Sequence, residues 1–252
     1  MELNTYPLVC TRGVVLYPNQ EIVIDVGRDT SVHAVENAQD NYDKKICLFS
    51  QKELEQENPG KEDIYSVGTL CEVRHIRRFD NFLRVKFRGI KRVKLNNWIN
   101  GSLSDLAEVE ILESEKQDAV EEEALIRMIA DELDRMQGQD RFVTKEIVME
   151  ISKGMGGEFL SDKAVQGLPL DIERKQQYLE TLGVNDRLMM LLQDMAKEKK
   201  MSEVEQQINE TVKERIDQGQ KDYYLREKMN VIREELGDTV AQDEDAAKIR
   251  KR

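Results

Sequence analysis

The longest uninterrupted periodic stretch constrains this chain most. From Asn185 to Leu236 apolar residues recur at three- and four-residue steps: Leu188, Leu192, Met195, then Val204, Ile208, Val212, Ile216, then Tyr223, Met229, Ile232, Leu236. No proline interrupts the run, and its only glycine is Gly219. Most remaining positions are Glu, Lys, Arg, Gln or Asp, which helices tolerate on a wet face. Asn185 or Asp186 suits the start as a cap, and Gly237 suits the end. At 1.5 Å per residue such a helix reaches about 75 Å, more than the width of a small domain. A helix of that length connects modules or joins protomers. The same pattern also fits two or three shorter helices, broken near Lys197–Ser202 and at Gly219.

The rest of the chain bounds what that helix serves. The 252 residues suffice for one large or two modest domains with real cores. Net charge is −12, which disfavours indiscriminate binding to nucleic acid or anionic membrane. There is no apolar run long enough to span a bilayer and no basic-then-apolar leader at the amino terminus, so a cytoplasmic protein is expected. Cys10, Cys47 and Cys71 each sit in an apolar, strand-like context. An odd number without C-x-x-C spacing reads as buried thiols, and two histidines, His33 and His75, make a zinc site improbable.

Residues 6 to about 112 read as β-rich. Tyr6–Cys10, Val14–Tyr17 and Glu21–Val26 are expected strands, ended by turn signals at Pro18 and Gly27. Asp29 or Thr30 is expected to cap a short helix through Val32, Val35 and Ala38. Ile46–Phe49 is a short buried strand, followed by a polar loop with Pro59-Gly60. Gly68 to Arg78 then leads into a turn at Asp80-Asn81. Leu83, Val85 and Phe87 alternate with Arg84, Lys86 and Arg88, so one face of this hairpin is buried and one wet. Gly89 marks a bulge or bend, and Leu106 to Leu112 closes a compact β-domain.

Near residue 115 the pattern turns helical. Leu125, Ile129, Leu133 and Met136 share a face that Gly138 ends. Thr144 is expected to cap a helix through Ile147, Val148 and Ile151. A short helix spans Leu160–Val165, Pro169 breaks the chain, and Asp171 caps a helix that ends at Gly183. Beyond Gly237 the sequence is acidic, then basic from Ala246 to Arg252. A helix starting at Asp245 is too short to stand alone by Arg252, so the chain reads as a piece of a longer protein.

Catalytic patterns are not found. No G-x-x-x-x-G-K-[ST] cradles a phosphate, no G-x-S-x-G holds a nucleophile, and neither histidine has an evident partner. Paired acids such as Glu121-Glu122-Glu123 fit a solvated helix face. A binding function is therefore expected, with two candidate surfaces. One is the basic hairpin, where Arg74, Arg77, Arg78, Arg84, Lys86, Arg88, Lys91, Arg92 and Lys94 crowd with Phe79, Phe82 and Phe87. The other is the methionine-rich root of the long helix, Met189, Met190, Met195 and Met201, which suits either adaptable binding or core filling.

Several motifs together resemble the amino-terminal region of Lon (LonA-type) proteases, the ATP-dependent, homo-oligomeric AAA+ proteases. The most specific is Gln220-Lys221-Asp222-Tyr223-Tyr224-Leu225-Arg226-Glu227-Lys228-Met229, followed by Glu235-Leu236-Gly237. Arg12–Pro18, Val26-Gly27-Arg28-Asp29, Asp63-Ile64-Tyr65, Arg84–Gly89 and Leu168-Pro169-Leu170 follow the same family pattern. Cys10-Thr11 stand where the family has Pro-Leu, and Asn81 replaces a turn glycine. The resemblance implies an α+β chain: a PUA-like β-domain (1–115), a helical bundle (116–184), a long connecting helix (185–237) rooted in it, and a charged linker with the start of a further helix (238–252). It implies recognition of unfolded or damaged proteins and assembly into a homo-oligomer, a hexamer in the family. ATP and magnesium would act in modules this sequence lacks, leaving this chain without cofactor or metal. Arg28 and Asp29, on an exposed turn, would face substrate; Ile216, Tyr223, Tyr224 and Met229 would meet other protomers or substrate. The alternative is a PUA-like nucleic-acid-binding protein using Arg77, Arg78, Arg84, Lys86 and Arg88.

Overall fold

The computed structural model describes residues 3–136 and 145–249. The expected caps and stops at Gly138 and Thr144 lie outside these residues. Close contacts divide the chain into Met1–Ala196 and Lys197–Arg252.

The first unit begins with six strands: β1 (Leu3–Thr11), β2 (Glu21–Val26), β3 (Lys45–Ser50), β4 (Val67–Arg78), β5 (Leu83–Ile99) and β6 (Leu106–Leu112). Their order is β2-β5-β4-β3-β1-β6, and β6 also pairs with β5. Five strands therefore close a ring, and β2 hangs on β5 outside it. Only β1 and β3 run parallel. Helix α1 (Asp29–Asn41) packs Ala34, Val35 and Ala38 onto Val9, Ile46, Leu48, Val73 and Val85. The opposite faces of β1 and β3 pack Leu8, Cys47 and Phe49 against Val93, Leu95 and Val109.

In β5, Gly89 faces Cys71 and Lys91 faces Leu70, so Ile90 is an extra residue. A bulge shifts the phase of side-chain alternation. Val85 and Phe87 accordingly join one core cluster, and Val93 and Leu95 another. Glycine is required at position 89, because a Cβ there would stand 2.2 Å from the Tyr17 carbonyl oxygen.

Val15, Leu16 and Tyr17 are buried and Val14 is half-buried, yet these residues form no ladder. Thr11 and Ser50 hydroxyls donate to the Val14 carbonyl, and the Thr69 hydroxyl donates to that of Leu16. Side chains thus do the work of a neighbouring strand. This frees Val15 and Tyr17 to pack into the helical layer, where the Tyr17 hydroxyl donates to the Lys175 carbonyl at 2.7 Å.

That layer comprises α2 (Ala119–Met136), α3 (Lys145–Ser152), α4 (Gly157–Gly167), α5 (Ile172–Glu180) and the root of α6 (Val184–Ile249). Leu125, Ile129, Leu133, Leu160, Val165, Tyr178, Leu179, Leu188 and Leu191 fill its core. Asp171 caps α5 as expected, accepting from the Arg174 N–H at 2.7 Å, and α5 stops at Glu180, short of Gly183. Helix α6 begins at Val184 without either expected cap. Instead the Gln117 side-chain carbonyl accepts from the N–H groups of Asn185 and Asp186, at 2.9 and 3.3 Å. Orphan donors at a helix start are satisfied equally well by a partner from outside the helix. A Cβ at Gly183 would lie 2.2 Å from the Asp186 carboxylate, so the Asp186 side chain would have to turn aside.

The sequence left one long helix and several short ones both open; α6 is one continuous element of 66 residues. It passes through Gly219 and Gly237. An interior glycine costs about 1 kcal/mol, which weakens a helix without ending it. The sequence-based order of β-part, helices and a very long helix is the order observed.

Candidate functional site

Arg28 was expected on an exposed turn, with Asp29 or Thr30 capping the helix. The structure corrects both points. Arg28 itself is the N-cap of α1, without a side-chain cap, and Asp29 is the first helical residue, where its charge favours the helix dipole. Arg28 is half-buried. Its guanidinium donates to the Gln51 side-chain carbonyl at 2.6 Å, to the Cys10 carbonyl at 3.3 Å and to the Gln56 carbonyl at 3.3 Å. The side chain thus ties the start of α1 to β1 and to the loop after β3.

The Gln56 carbonyl is the hub of this arrangement. It also accepts from Arg12 at 3.3 Å and from the Gln51 amide at 2.9 Å. Two guanidinium groups therefore share one neutral acceptor. Among the described residues neither has a carboxylate partner. Burial lowers the Arg28 pKa, the neighbouring Arg12 charge lowers it further, and Glu57 acts on it only from a distance. A cavity of about 320 Å³ opens here between residues 9–12, at and just past the end of β1, and 24–28. Cys10 lines it, and burial pushes the thiol up to about 12, so it is a poor nucleophile.

The basic hairpin looks different in three dimensions. Arg84 forks onto Asp25 at 2.7 and 2.8 Å, Lys86 meets Glu21 at 2.7 Å, Arg78 meets Glu36, and Lys91 meets Glu113. Hydrogen bonding to Arg84 holds the Asp25 carboxyl below its ordinary range. Phe79 and Phe82 stack with centroids 4.7 Å apart, and Arg77 and Arg84 lie over the Phe79 ring. Arg88 is exposed. Most of the patch is thus spent on neighbouring carboxylates and on its own aromatic pair. Few cations remain to release counterions from a phosphate backbone.

Arg92 leaves the wet face altogether. It follows the bulge and lies under α4 and α5, with its side chain 1% exposed and that of Asp162 2% exposed. Two Arg92 nitrogens fork onto Asp162 at 2.5 and 3.0 Å, and the third donates to the Leu179 carbonyl. Desolvation raises the Asp162 pKa while Arg92 pulls it back. Arg187, fully buried at the α6 root, donates to the Thr181 carbonyl and the Ser114 hydroxyl. Burial lowers its pKa to about 10.

The second unit can be described by itself. Every residue from Glu203 to Glu235 is exposed. Met201, Val204, Ile208, Val212, Ile216 and Tyr223 fall within about a third of the helix circumference at 3.6 residues per turn. Ile216 is 54% exposed, Tyr223 69%, Tyr224 64% and Met229 51%. At the root, Met195 is buried, while Met189 and Met201 are exposed.

The expected site residues thus fall in three places: Arg28 and Asp29 at the α1 start, five basic residues on the hairpin, and four apolar ones on α6. Sequence reasoning missed Arg12, Gln51 and Gln56, whose convergence on Arg28 depends on tertiary contacts alone.

Comparison with known proteins fits this geometry. The family model of the ATP-dependent protease La (LON) substrate-binding domain matches residues 5–197. The Lon protease of Brevibacillus choshinensis is 34% identical over 233 residues, covering 92% of this chain and 30% of that protein. That of Escherichia coli K12 is 32% identical over 247 residues, covering 97% of this chain and 31% of that protein. The chain spans about a third of the length of the curated relatives it matches. The N-terminal domain of Mycobacterium avium complex Lon protease aligns with TM-score 0.62 and 19% identity, over 77% of this chain and 98% of that one. The Lon N-terminal domain protein from Xanthomonas campestris aligns with TM-score 0.53 and 16% identity, over 75% of this chain and 97% of that one. At such identities these two establish a shared fold.

Proposed function

The chain belongs to the Lon protease substrate-binding-domain family, and from that premise we propose that it captures unfolded or damaged polypeptide in the cytoplasm and helps assemble a homo-oligomer. The observation that carries this reading is the apolar stripe on α6. Val204, Ile208, Val212, Ile216 and Tyr223 are each more than two-fifths exposed. An exposed apolar surface of this kind marks an interaction site. Unfolded chains differ from folded ones in offering apolar side chains, so affinity comes from apolar burial and selectivity from the surrounding charges.

In this reading the chain binds and other modules do the chemistry. By the family resemblance, ATP, magnesium and the peptide-cleaving nucleophile would act in those other modules. Hydrogen-bonded, half-buried Arg28 serves as a fixed cation beside the cavity, and Ile216, Tyr223, Tyr224 and Met229 supply apolar contacts to substrate or to another protomer. The neutralised hairpin disfavours a nucleic-acid role.

The test is fluorescence anisotropy with labelled, unfolded casein beside a labelled RNA oligonucleotide, over a range of salt concentrations. Saturable casein binding that changes little with salt is expected. Salt-steep RNA binding without casein binding would replace this reading with the nucleic-acid one.

A further inference from the structure

Strand β2 pairs with β5 alone. Among the described residues no strand is in register with its outer edge. An open edge is a template for another chain, and proteins usually cover it or block it with proline or charge. The backbone polarity of this edge follows from its start. The Gly89 N–H donates to the Gln20 carbonyl, so alternation turns Ile22, Ile24 and Val26 toward β5. The N–H and C=O groups of Glu21, Val23 and Asp25 then lie on the open side.

At Asp25 that side borders the cavity between β2 and the end of β1, which Arg12 and Arg28 also line, and the Asp25 carboxylate is already held by Arg84. The Cys10 carbonyl there is already capped by Arg28. Two adjacent guanidinium groups without a carboxylate form the complement of an anionic group, and a guanidinium binds a carboxylate through paired hydrogen bonds.

We propose that the outer edge of β2 captures an extended acidic polypeptide segment as an added strand, and that Arg12 and Arg28 hold a carboxylate of that segment. Main-chain pairing supplies affinity with little demand on sequence, and the arginine pair supplies the preference for acid. The proposal rests on the polypeptide-binding reading and names one place and chemistry for it.

The probe is a fluorescein-labelled peptide of alternating valine and threonine that ends in aspartates, titrated beside unfolded casein. Val23→Pro removes an outward N–H without breaking a β2–β5 bond. It should weaken peptide binding by about tenfold or more, whereas Val23→Thr should leave binding unchanged. An aspartate-to-asparagine copy of the peptide should also bind more weakly, and the double variant Arg12→Gln, Arg28→Gln should abolish that preference. If Val23→Pro does not fold, as read by its circular-dichroism melt, a copy of the peptide N-methylated at every residue decides the matter. Equal binding of the methylated and unmethylated peptides, or wild-type affinity in folded Val23→Pro, overturns the proposal. Casein binding that survives either result leaves the broader reading standing. Peptide binding at the edge without casein binding would do the reverse, and binding of neither probe removes both.

Discussion

Between Val184 and Met195, α6 buries Val184, Leu188, Leu191 and Met195 against the other helices. Between Val204 and Tyr223 the same helix exposes Val204, Ile208, Val212, Ile216 and Tyr223. The steps are three or four residues in the first segment and four or seven in the second, so both keep to one side of the helix. Periodicity therefore reports the helix and its apolar side, and says nothing about whether that side is covered. Coverage depends on what the rest of the chain brings opposite. At the root that is Leu125, Leu160 and Leu179, together with Gln117 holding the helix start. Burying a large apolar side chain is worth roughly 1.5–3 kcal/mol. In the first segment that energy goes into folding, and in the second it is available for association.

The contrast breaks most visibly at the ion pair above the root. Asp162→Ala leaves Arg92 buried without its carboxylate, near the equally buried Arg187. A loss of about 3–5 kcal/mol is expected, read as a lower urea midpoint at unchanged slope. A loss below about 1 kcal/mol would mean that the pair is solvated.

A matched pair of truncations sharpens the comparison. Leu188→Ala should cost about 3 kcal/mol, as expected for a filled core position. Ile208→Ala should stay within about 0.5 kcal/mol of wild type, as expected for an exposed one. Equal costs in urea melts would erase the distinction between the two segments.

Arg28 gives a smaller effect. Read from sequence alone, it is an exposed residue whose replacement lowers the melting temperature by no more than about a degree or two. Its three hydrogen bonds change that expectation. Arg28→Ala should lower stability by about 1–2 kcal/mol, partly offset by relief of repulsion from Arg12, and should weaken casein binding. An unchanged melt would show that the guanidinium is not held as described.

Local pattern carried most of the fold. The alternation of Leu83, Val85 and Phe87 with Arg84, Lys86 and Arg88 sufficed for the hairpin, and Asp171 sufficed for the start of α5. Two things were hidden. Val14–Tyr17 has a strand's composition, but its carbonyls are served by hydroxyls from three separate strands, which no local pattern encodes. Arg92 sits in a basic run, and only the extra residue Ile90 and the arrival of Asp162 seventy positions later bury it. Arg12, Gln51 and Gln56, which gather around Arg28, were invisible for the same reason, since each is ordinary in its own segment.

The most direct test changes the exposed segment and leaves the root alone. Ile216→Ser with Tyr223→Ser should weaken casein binding or self-association by more than about tenfold, since two large apolar contacts are lost. Anisotropy and light scattering read that loss, and urea melts of the same samples should give an unchanged midpoint. A stability lowered by several kcal/mol, with casein binding and self-association unchanged, would contradict the account.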